Sequence, residues 1–151
     1  SVGASMKILI RSLTETDFME WCGLWQQYLT FYETQLSKEI YKNTFKKIIN
    51  INIKSQNAFV AETNNKLIGL VHYIYHNDNW KLEDATYLQD LYTEPDFRGQ
   101  GAGRLLIEAV YKAADDNNSP TVYWQTEKSN KTARVLYDKI AKLAPFIIYE
   151  R

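Results

Sequence analysis

The pattern of apolar and polar positions in the first part of the chain predicts strands and helices with antiparallel neighbours. A loosely alternating, β-branched run is typical of a first strand, and capping or acidic side chains ahead of apolar positions predict two helices after it. Two alternating runs separated by the turn-rich segment 63–65 favour a hairpin. The predicted elements are a strand over 7–13, helices over 14–32 and 37–51, and strands over 57–62, 66–75 and 85–94.

The last third of the chain changes to an order of strand, loop, helix, strand and helix. Apolar residues at helical spacing make the segment that starts near Ala102 the clearest helix in the sequence. Ser129 is expected to cap a second helix, which Pro145 ends. The runs TVYWQT over 121–126 and FIIY over 146–149 predict two more strands.

The composition is typical of an ordinary folded domain without a strong charge. The chain has 151 residues, of which 45% are hydrophobic and 24% charged, and these values suit one domain over 6–151. Residues 1–5, ahead of Met6, are interpreted as an expression remnant. Basic and acidic residues each number 18, so the positive surface typical of nucleic-acid binding is not expected.

Three kinds of partner or site are not expected from the sequence. A single cysteine, Cys22, excludes an internal disulfide framework and favours a reducing compartment, so we expect a cytoplasmic protein. No apolar run approaches the roughly 20 residues of a membrane helix, and no membrane partner is expected. His72 and His76 have the spacing of a helical metal pair, but on the predicted strand they lie well apart, and no metal site is expected.

Half of the glycines are concentrated in one loop. Three of the six fall within 99–103, between a predicted strand and the clearest helix. Backbone without a Cβ approaches a ligand closely, and amides at a helix N-terminus attract phosphate oxygens. Arg98 and Arg104 flank the loop and add positive charge. A GxGxxG frame lacks its third glycine here and no Lys-Ser/Thr pair follows, so a dinucleotide or nucleoside triphosphate is not expected.

The run DLYTEPDFRGQGAG over 90–103 resembles the acetyl-CoA signature of the GNAT superfamily of N-acetyltransferases, Q/R-x-x-G-x-G/A after the fourth strand. The segment SNKTARVLYDKIA over 129–141 is similar to the family's second motif, an Asn-to-Tyr stretch on the helix after strand five. The likeness covers most of 7–149. It is closest to the branch of polyamine and of yeast histone or D-amino-acid N-acetyltransferases, with YLQDLY over 87–92 carrying much of it. It implies a mixed α/β fold, whose mostly antiparallel sheet of about seven strands is splayed between strands four and five, with helices on both faces.

The resemblance also implies roles for individual residues. The backbone of Leu91, Tyr92 and Thr93 would hold the acetyl and pantetheine portions of acetyl-CoA, with the Leu91 amide stabilising charge on the carbonyl oxygen. Asn130 and Ala133 of the second motif would lie along the pantetheine arm, which Asn130 would steady. Tyr137 would act as the general acid at the thioester sulfur. The amides around the pyrophosphate would be those of Arg98, Gly99, Gln100, Gly101, Ala102, Gly103 and Arg104.

The general base is left open by the sequence. Many relatives carry a glutamate on strand four where this chain has Gln89, which cannot take a proton. Asp90 comes next, but alternation along a strand predicts that it points to the opposite face. Three possibilities therefore stand: Asp90 or Glu33 acting through water, a water chain alone, or an acceptor amine of low pKa. The acceptor-site residues predicted here are Glu33, Trp80, Gln89 and Asp90.

These features predict an enzyme that moves the acetyl group of acetyl-CoA to a primary amine by direct attack in a ternary complex. The acceptor would be a polyamine, an amino acid, or a lysine side chain in a peptide. The alternative is a catalytically weak acetyl-CoA sensor or scaffold, which Gln89 alone favours. The resemblance implies a homodimer, since relatives in this branch form dimers or larger assemblies, and the FIIY segment would add to the sheet edge of a second copy.

Overall fold

A computed structural model describes residues 7–151, so the predicted expression remnant at 1–5 lies outside the described residues. Two short 3₁₀ turns, Glu15–Asp17 and Pro95–Phe97, precede the first and third helices. In chain order the elements are β1 (Leu9–Ser12), α1 (Phe18–Phe31), α2 (Lys38–Ile49), β2 (Gln56–Thr63), β3 (Lys66–His76), β4 (Ala85–Thr93), α3 (Ala102–Asp116), β5 (Val122–Tyr123) and α4 (Lys131–Ile140).

The strands form one sheet in the order β1-β2-β3-β4-β5. Neighbours from β1 to β4 run antiparallel, whereas β4 and β5 run parallel and pair only at Thr86 with Val122 and at Tyr87 with Tyr123. Beyond Tyr87 the two strands diverge, and β4 continues to Thr93 with no strand of the described chain on that side. The predicted splay between strands four and five is confirmed.

Two hydrophobic clusters lie on opposite faces of the sheet. On one face α1 and α2 pack around Trp21, which is fully buried. On the other face α3 and α4 cover a cluster centred on Leu106, Ile107 and Val110. Helices therefore cover both faces, as predicted, and β4 contributes side chains to both clusters.

The predicted number of strands is wrong, since residues 7–151 form a sheet of five strands rather than about seven. The run predicted over 121–126 forms a strand only at β5, because β4 lies beside it only there. The FIIY segment over 146–149 pairs with no strand of the described chain, and its residues are between 63% and 88% exposed. An isolated extended segment needs a neighbouring strand to hydrogen-bond with, and residues 7–151 of one copy provide none there.

A cluster of charged side chains ties β1 to α1 and β2. The Arg11 guanidinium donates to both carboxylate oxygens of Asp17, at 2.7 and 2.9 Å, and to Glu62 at 2.6 Å. The Thr14 amide donates to the same Asp17 carboxylate at 2.8 Å. The Arg11 hydrogen bond is the largest of the causes that lower the pKa of Asp17 to about 2. This cluster fixes the start of α1, the helix that carries Trp21 to the sheet.

We predict that Asp17→Asn removes about 2 kcal/mol of stability at pH 7. The folded-state pKa lies below the ordinary value of 3.8, so the contribution of Asp17 is complete above pH 4 and is lost as the pH falls towards 2. Urea unfolding of both proteins between pH 7 and pH 2.5 measures this difference. An acid-induced loss of the same size in Asp17→Asn would show that other carboxylates are responsible.

Candidate active site

The loop between β4 and α3 is shaped to receive an anion. Gly99 and Gly101 have φ angles of 78° and 91°, left-handed values that favour glycine, and a Cβ on either would meet no atom within 4 Å. The amides of residues 99–104 donate to no backbone carbonyl of the described chain, and the first helical bond runs from the Leu105 amide to the Gly101 carbonyl at 3.0 Å. Consecutive free amides at the positive end of α3 suit phosphate oxygens.

The two arginines of this loop have partners within the chain. The Arg98 amide donates to the Pro95 carbonyl at 3.3 Å, so the row of free amides begins at Gly99. The Arg98 Nε donates to the Thr93 carbonyl at 3.0 Å. The Arg104 Nε pairs with Glu108 at 2.9 Å, one turn along α3, and the pair is about half exposed. The loop thus presents its backbone amides more directly than its arginine side chains.

A bulge in β4 places Asp90 differently from the sequence-based expectation. His72 of β3 pairs with Asp90 and Tyr73 pairs with Leu88, so Gln89 is an extra residue without a cross-strand partner. Gln89 and Asp90 both line the cavity between α2 and the sheet. The expectation that Asp90 points away from Gln89 is therefore wrong, because strict alternation holds only in a strand without a bulge.

The same bulge changes the edge of β4 that each backbone amide faces. The Thr86 amide donates towards β5 at 2.8 Å, and the Glu94 amide donates towards β3 at 2.7 Å. In a regular strand residues an even number apart face the same edge, so these opposite directions require one extra residue between them. Counting back from Glu94, the Leu91 and Thr93 amides face the open cleft beside β5, while the Tyr92 backbone faces β3.

A chain of buried hydrogen bonds holds the Asp90 carboxylate. Asp90 is 8% exposed, His72 is 5% exposed and Trp21 is fully buried. Trp21 Nε1 lies 2.9 Å from His72 Nε2, and His72 Nδ1 lies 2.8 Å from Asp90 Oδ2. The three side chains come from α1, β3 and β4, so the packing of α1 on the sheet determines where the carboxylate lies.

Three tyrosines lie close enough to Asp90 for its charge to act on them. Burial first, and then the Asp90 charge, raises the pKa of Tyr28 far above its ordinary value. Burial also raises the pKa of Tyr32 and of Tyr87, and Asp90 contributes to both shifts. The three hydroxyls therefore keep their protons at neutral pH and are potential donors towards the carboxylate.

The helix α4 carries Tyr137, the predicted general acid. Its ring is partly buried and packs edge-on against Trp124, with ring centroids 5.4 Å apart. Burial, followed by the influence of Tyr32, raises the pKa of Tyr137 to about 12. The hydroxyl therefore keeps its proton throughout the physiological pH range and can donate it.

Asn130 holds the start of α4. Its Oδ1 accepts from the Ala133 amide at 3.4 Å, so Asn130 is the cap of this helix in place of the expected Ser129. Its Nδ2 donates to Thr126 Oγ1, also at 3.4 Å. The two contacts connect the segment after β5 to the first turn of the helix that positions Tyr137.

A cavity of about 250 Å³ between α2 and the sheet contains both charged and apolar groups. Asp90 and Lys47 of α2 both line it, and the exposed Lys47 makes no ion pair within residues 7–151. Trp25 Nε1 is buried and has no hydrogen-bond partner in that part of the chain. The apolar part of the wall consists of Leu36, Ile40, Ile48 and Ile74.

Two predicted acceptor-site residues lie away from this cavity. Glu33 follows α1 with a φ of 54° and is exposed. Trp80, in the loop between β3 and β4, is 96% exposed. Neither lines the cavity. Of the two carboxylates named from the sequence as candidate bases, Asp90 lines the cavity and Glu33 does not.

Sequence reasoning missed the role of His72 beside Asp90. The available signal was a polar residue within the apolar run of β3, because a buried polar group requires a partner. The partner was not evident because an unbulged hairpin with Tyr73 opposite Leu88 would place His72 opposite Gln89. The bulge shifts the pairing to Asp90 and brings the two side chains together.

Three further features of the described residues bear on other kinds of site. No group of three or more His, Cys, Asp and Glu side chains within 7–151 could hold a metal ion, and His76 bonds to the Tyr123 hydroxyl at 2.7 Å. No helix in that range is both long and apolar enough to cross a membrane. Burial raises the pKa of Cys22, which disfavours the reactive thiolate form.

Comparison with known proteins agrees with this geometry. Residues 18–141 match the acetyltransferase (GNAT) family. The chain is 34% identical over 146 residues to the D-amino-acid N-acetyltransferase HPA3 of Saccharomyces cerevisiae, covering 96% of this chain and 91% of the yeast protein. It is 28% identical to the thialysine N-epsilon-acetyltransferase of Caenorhabditis elegans, covering 72% and 68% of the two chains. The crystal structure of the aminoglycoside N-acetyltransferase AAC(6')-Iy in complex with CoA shares the fold, with a TM-score of 0.84 at 17% identity and coverage of 100% and 98%.

The fold, the amide-lined loop and the splayed strands together define an acyltransferase of the GNAT type. The family match spans most of the chain, and the chain belongs to the acetyltransferase (GNAT) family. It is an N-acetyltransferase, as the two sequence motifs predicted.

We predict that Gly101→Ala weakens the binding of CoA about tenfold. The left-handed φ of 91° costs a residue with a Cβ about 1 to 2 kcal/mol, so the loop shifts and its amides lose their alignment. Isothermal titration calorimetry with CoA measures the change.

Gly23→Ala is the matched control for this substitution. Gly23 lies within α1, and a Cβ there meets no atom within 4 Å, so the binding of CoA should stay as in the unchanged protein. Equal affinity of Gly101→Ala and Gly23→Ala would contradict the assignment of the loop as the anion site.

Proposed function

We propose that the protein transfers the acetyl group of acetyl-CoA to the primary amine of an amino acid, with Asp90 as general base and Tyr137 as general acid. The observation that carries this proposal is the bulge at Gln89. It brings Asp90 to the wall of the cavity between α2 and the sheet, which we propose as the acceptor site, and turns the Leu91 amide into the cleft beside β5. A proton acceptor and an oxyanion donor therefore come from adjacent residues of one strand.

The residues of the cleft fit the donor substrate. The free amides of 99–104 would hold its pyrophosphate, and the open space where a Cβ of Gly99 or Gly101 would stand leaves room for close approach. The cleft-facing backbone of Leu91 and Thr93 would hold the pantetheine arm, with Asn130 at the start of α4. When bound, acetyl-CoA supplies an acetyl thioester. Side chains and backbone amides of this chain would transfer the protons and stabilise the negative charge that develops.

Asp90 removes the proton that blocks attack by the acceptor. An alkyl amine with a pKa of about 10.4 is almost entirely charged at neutral pH, so a base must take its proton. The Asp90 carboxylate accepts it, directly or through one water, and the Leu91 amide donates to the carbonyl oxygen as negative charge develops there. Gln89, adjacent in the same wall, is available as a hydrogen-bond donor to the acceptor.

Tyr137 donates its proton to the sulfur as the carbon–sulfur bond breaks. Its pKa of about 12 keeps the hydroxyl protonated before this step, and the thiolate that leaves becomes a thiol with a pKa of about 8.5. The attacking nitrogen loses its second proton as the amide forms, and this proton restores the Tyr137 hydroxyl. Packing against Trp124 and the Asn130 cap of α4 fix the position of the ring. Direct attack in a ternary complex needs no covalent acyl-enzyme.

The charges of the cavity favour an amino acid as the acceptor. Asp90 would bind the ammonium of the acceptor, and Lys47, which lines the same cavity and makes no ion pair within residues 7–151, would attract an anionic group such as a carboxylate. A polyamine would bring a second ammonium towards Lys47, and a cavity of about 250 Å³ suits a small molecule. Similarity to a D-amino-acid N-acetyltransferase supports the same class.

We predict that thiol release from acetyl-CoA is fastest with amino acids in a panel that includes both enantiomers, spermidine and a lysine peptide. Asp90→Asn and Tyr137→Phe should each lower kcat by about 100-fold or more, because each removes a proton-transfer group. KM for acetyl-CoA should change little, since neither side chain belongs to the phosphate loop.

Tyr111→Phe is the control for loss of a partly buried hydroxyl. The Tyr111 hydroxyl donates to the Ile140 carbonyl at 3.0 Å and has no part in the proposed chemistry, so kcat should be retained. Preference for spermidine would refute the amino-acid acceptor, and full turnover by Asp90→Asn would refute the proposed base.

The bulge also bears on the alternative of a sensor or scaffold. That alternative rested on Gln89, which replaces the glutamate of many relatives. With Asp90 in the same cavity wall, a carboxylate is available one residue further along β4. Gln89 therefore no longer argues for a protein without turnover.

We further propose that two copies of the chain form a dimer through the FIIY segment. Phe146, Ile148 and Tyr149 are 86%, 63% and 88% exposed, and the segment is extended without a strand partner. A second copy would cover these side chains and provide a strand edge.

A cytoplasmic location stays a prediction that rests on the single free cysteine, Cys22.

We predict that sedimentation of the unchanged protein gives a dimer and that the double variant Phe146→Asp with Ile148→Asp gives a 17.7 kDa monomer. Charged side chains in the proposed contact would oppose its burial. Ile51→Asp, at an 89% exposed isoleucine elsewhere, should leave the dimer intact. A monomeric unchanged protein would refute the dimer.

A further inference from the structure

The contact between Trp21 and His72 determines where the imidazole carries its proton. An indole N–H only donates hydrogen bonds, so His72 Nε2, at 2.9 Å from Trp21 Nε1, must be the acceptor and carry no proton. The proton of the neutral ring then lies on Nδ1. Since Nδ1 lies 2.8 Å from Asp90 Oδ2, it donates to the carboxylate.

We propose that Trp21 and His72 are positioning residues that hold the Asp90 carboxylate in place as a proton acceptor. The inference rests on the proposed function of Asp90 as general base. A neutral imidazole donates one hydrogen bond to Oδ2 without cancelling the charge of Asp90. His72 thereby holds Oδ2, and the rest of the carboxylate, close to the Tyr28 hydroxyl, can receive the ammonium of the acceptor or a water that bridges to it.

The surroundings of the pair leave little freedom for another arrangement. The Trp25 ring packs edge-on against His72 with ring centroids 5.2 Å apart, and Trp21 is fully buried between α1 and the sheet. A buried carboxylate without a donor would be strongly disfavoured, so the Nδ1–H bond also stabilises Asp90 in its charged form. The tyrosines near Asp90 approach from α1 and β4, and His72 is the partner that β3 provides.

The register of the sheet is what brings the pair together. The bulge makes His72 the cross-strand neighbour of Asp90, and Gln89 takes no partner on β3. The position of the base is therefore determined from α1 through β3 to β4, rather than by β4 alone. Loss of either bond would let the carboxylate rotate, although the loop of residues 99–104 would remain as it is.

Two substitutions of His72 separate the two hydrogen bonds. In His72→Asn the side-chain amide occupies the place of Nδ1 and can donate to Asp90, whereas the acceptor for Trp21 is lost. In His72→Gln the amide lies near the place of Nε2 and can accept from Trp21, whereas the donor to Asp90 is lost. The two variants differ by one methylene group and by which bond they keep.

We predict that kcat of His72→Asn is at least about tenfold higher than kcat of His72→Gln. Both values should lie between kcat of the unchanged protein and that of Asp90→Asn, which is expected to be roughly 100-fold or more lower. KM for acetyl-CoA should be similar in both, and calorimetry with CoA verifies that each is folded. A merely structural role of His72 would lower both variants alike and would overturn the proposal. If Asp90→Asn itself keeps full turnover, the proposed base fails; if only the two His72 variants keep it, the base stands and the positioning role fails.

A spectroscopic measurement tests the proton assignment without any change at the site. The chain has two histidines, so a long-range ¹H–¹⁵N spectrum at pH 7.5 needs only His76→Gln to assign their signals. The proposal requires a neutral His72 ring with its proton on Nδ1. A proton on Nε2, or on both ring nitrogens, would contradict the proposed direction of the Trp21 bond.

Discussion

Because of the bulge at Gln89, the backbone of β4 faces different neighbours before and after this residue. Ahead of it, β4 hydrogen-bonds to β5, and beyond it the backbone of Leu91 and Thr93 faces a cleft instead. On the faces of the sheet, the same extra residue puts Asp90 on the side of α1 and α2, while Leu91 packs towards α3 and α4. If the register of Thr86 and Leu88 continued unbroken, the Asp90 side chain would lie on the side of α3 and the Leu91 amide would face β3.

Burying the Asp90 carboxylate requires compensation, and the first helix supplies much of it. An ionised group in a protein interior is strongly disfavoured unless hydrogen bonds replace its water. Trp21 orients His72, His72 donates to Asp90, and Tyr28 of the same helix lies nearby. The Arg11 cluster fixes the start of α1, so this partly buried ion pair and the interior site depend on the same helix.

The sequence supports the outline of the fold and the anion loop, because both depend on local signals. Glycine spacing, helical periodicity and the hairpin at 63–65 act within a few residues, and the structure has each of them. The strand predicted for the FIIY segment was wrong because apolar composition does not reveal whether a strand partner exists. The pairing of His72 with Asp90 could not be predicted, because the pattern of apolar and polar residues along β4 does not show where a bulge lies. The exposure of Trp80 could not be predicted for a related reason, since an aromatic residue in a loop has no periodicity to show which way it points.

The short pairing of β4 with β5 has a consequence for how the protein behaves in a cell. With only two residue pairs between these strands, the part of the molecule formed by β5 and α4 gains little support from the sheet itself. A donor substrate lying in the cleft would touch both sides and stabilise the folded state by mass action. The resistance of the protein to unfolding and proteolysis would then rise and fall with the supply of acetyl-CoA, which links its lifetime to the metabolic state of the cell.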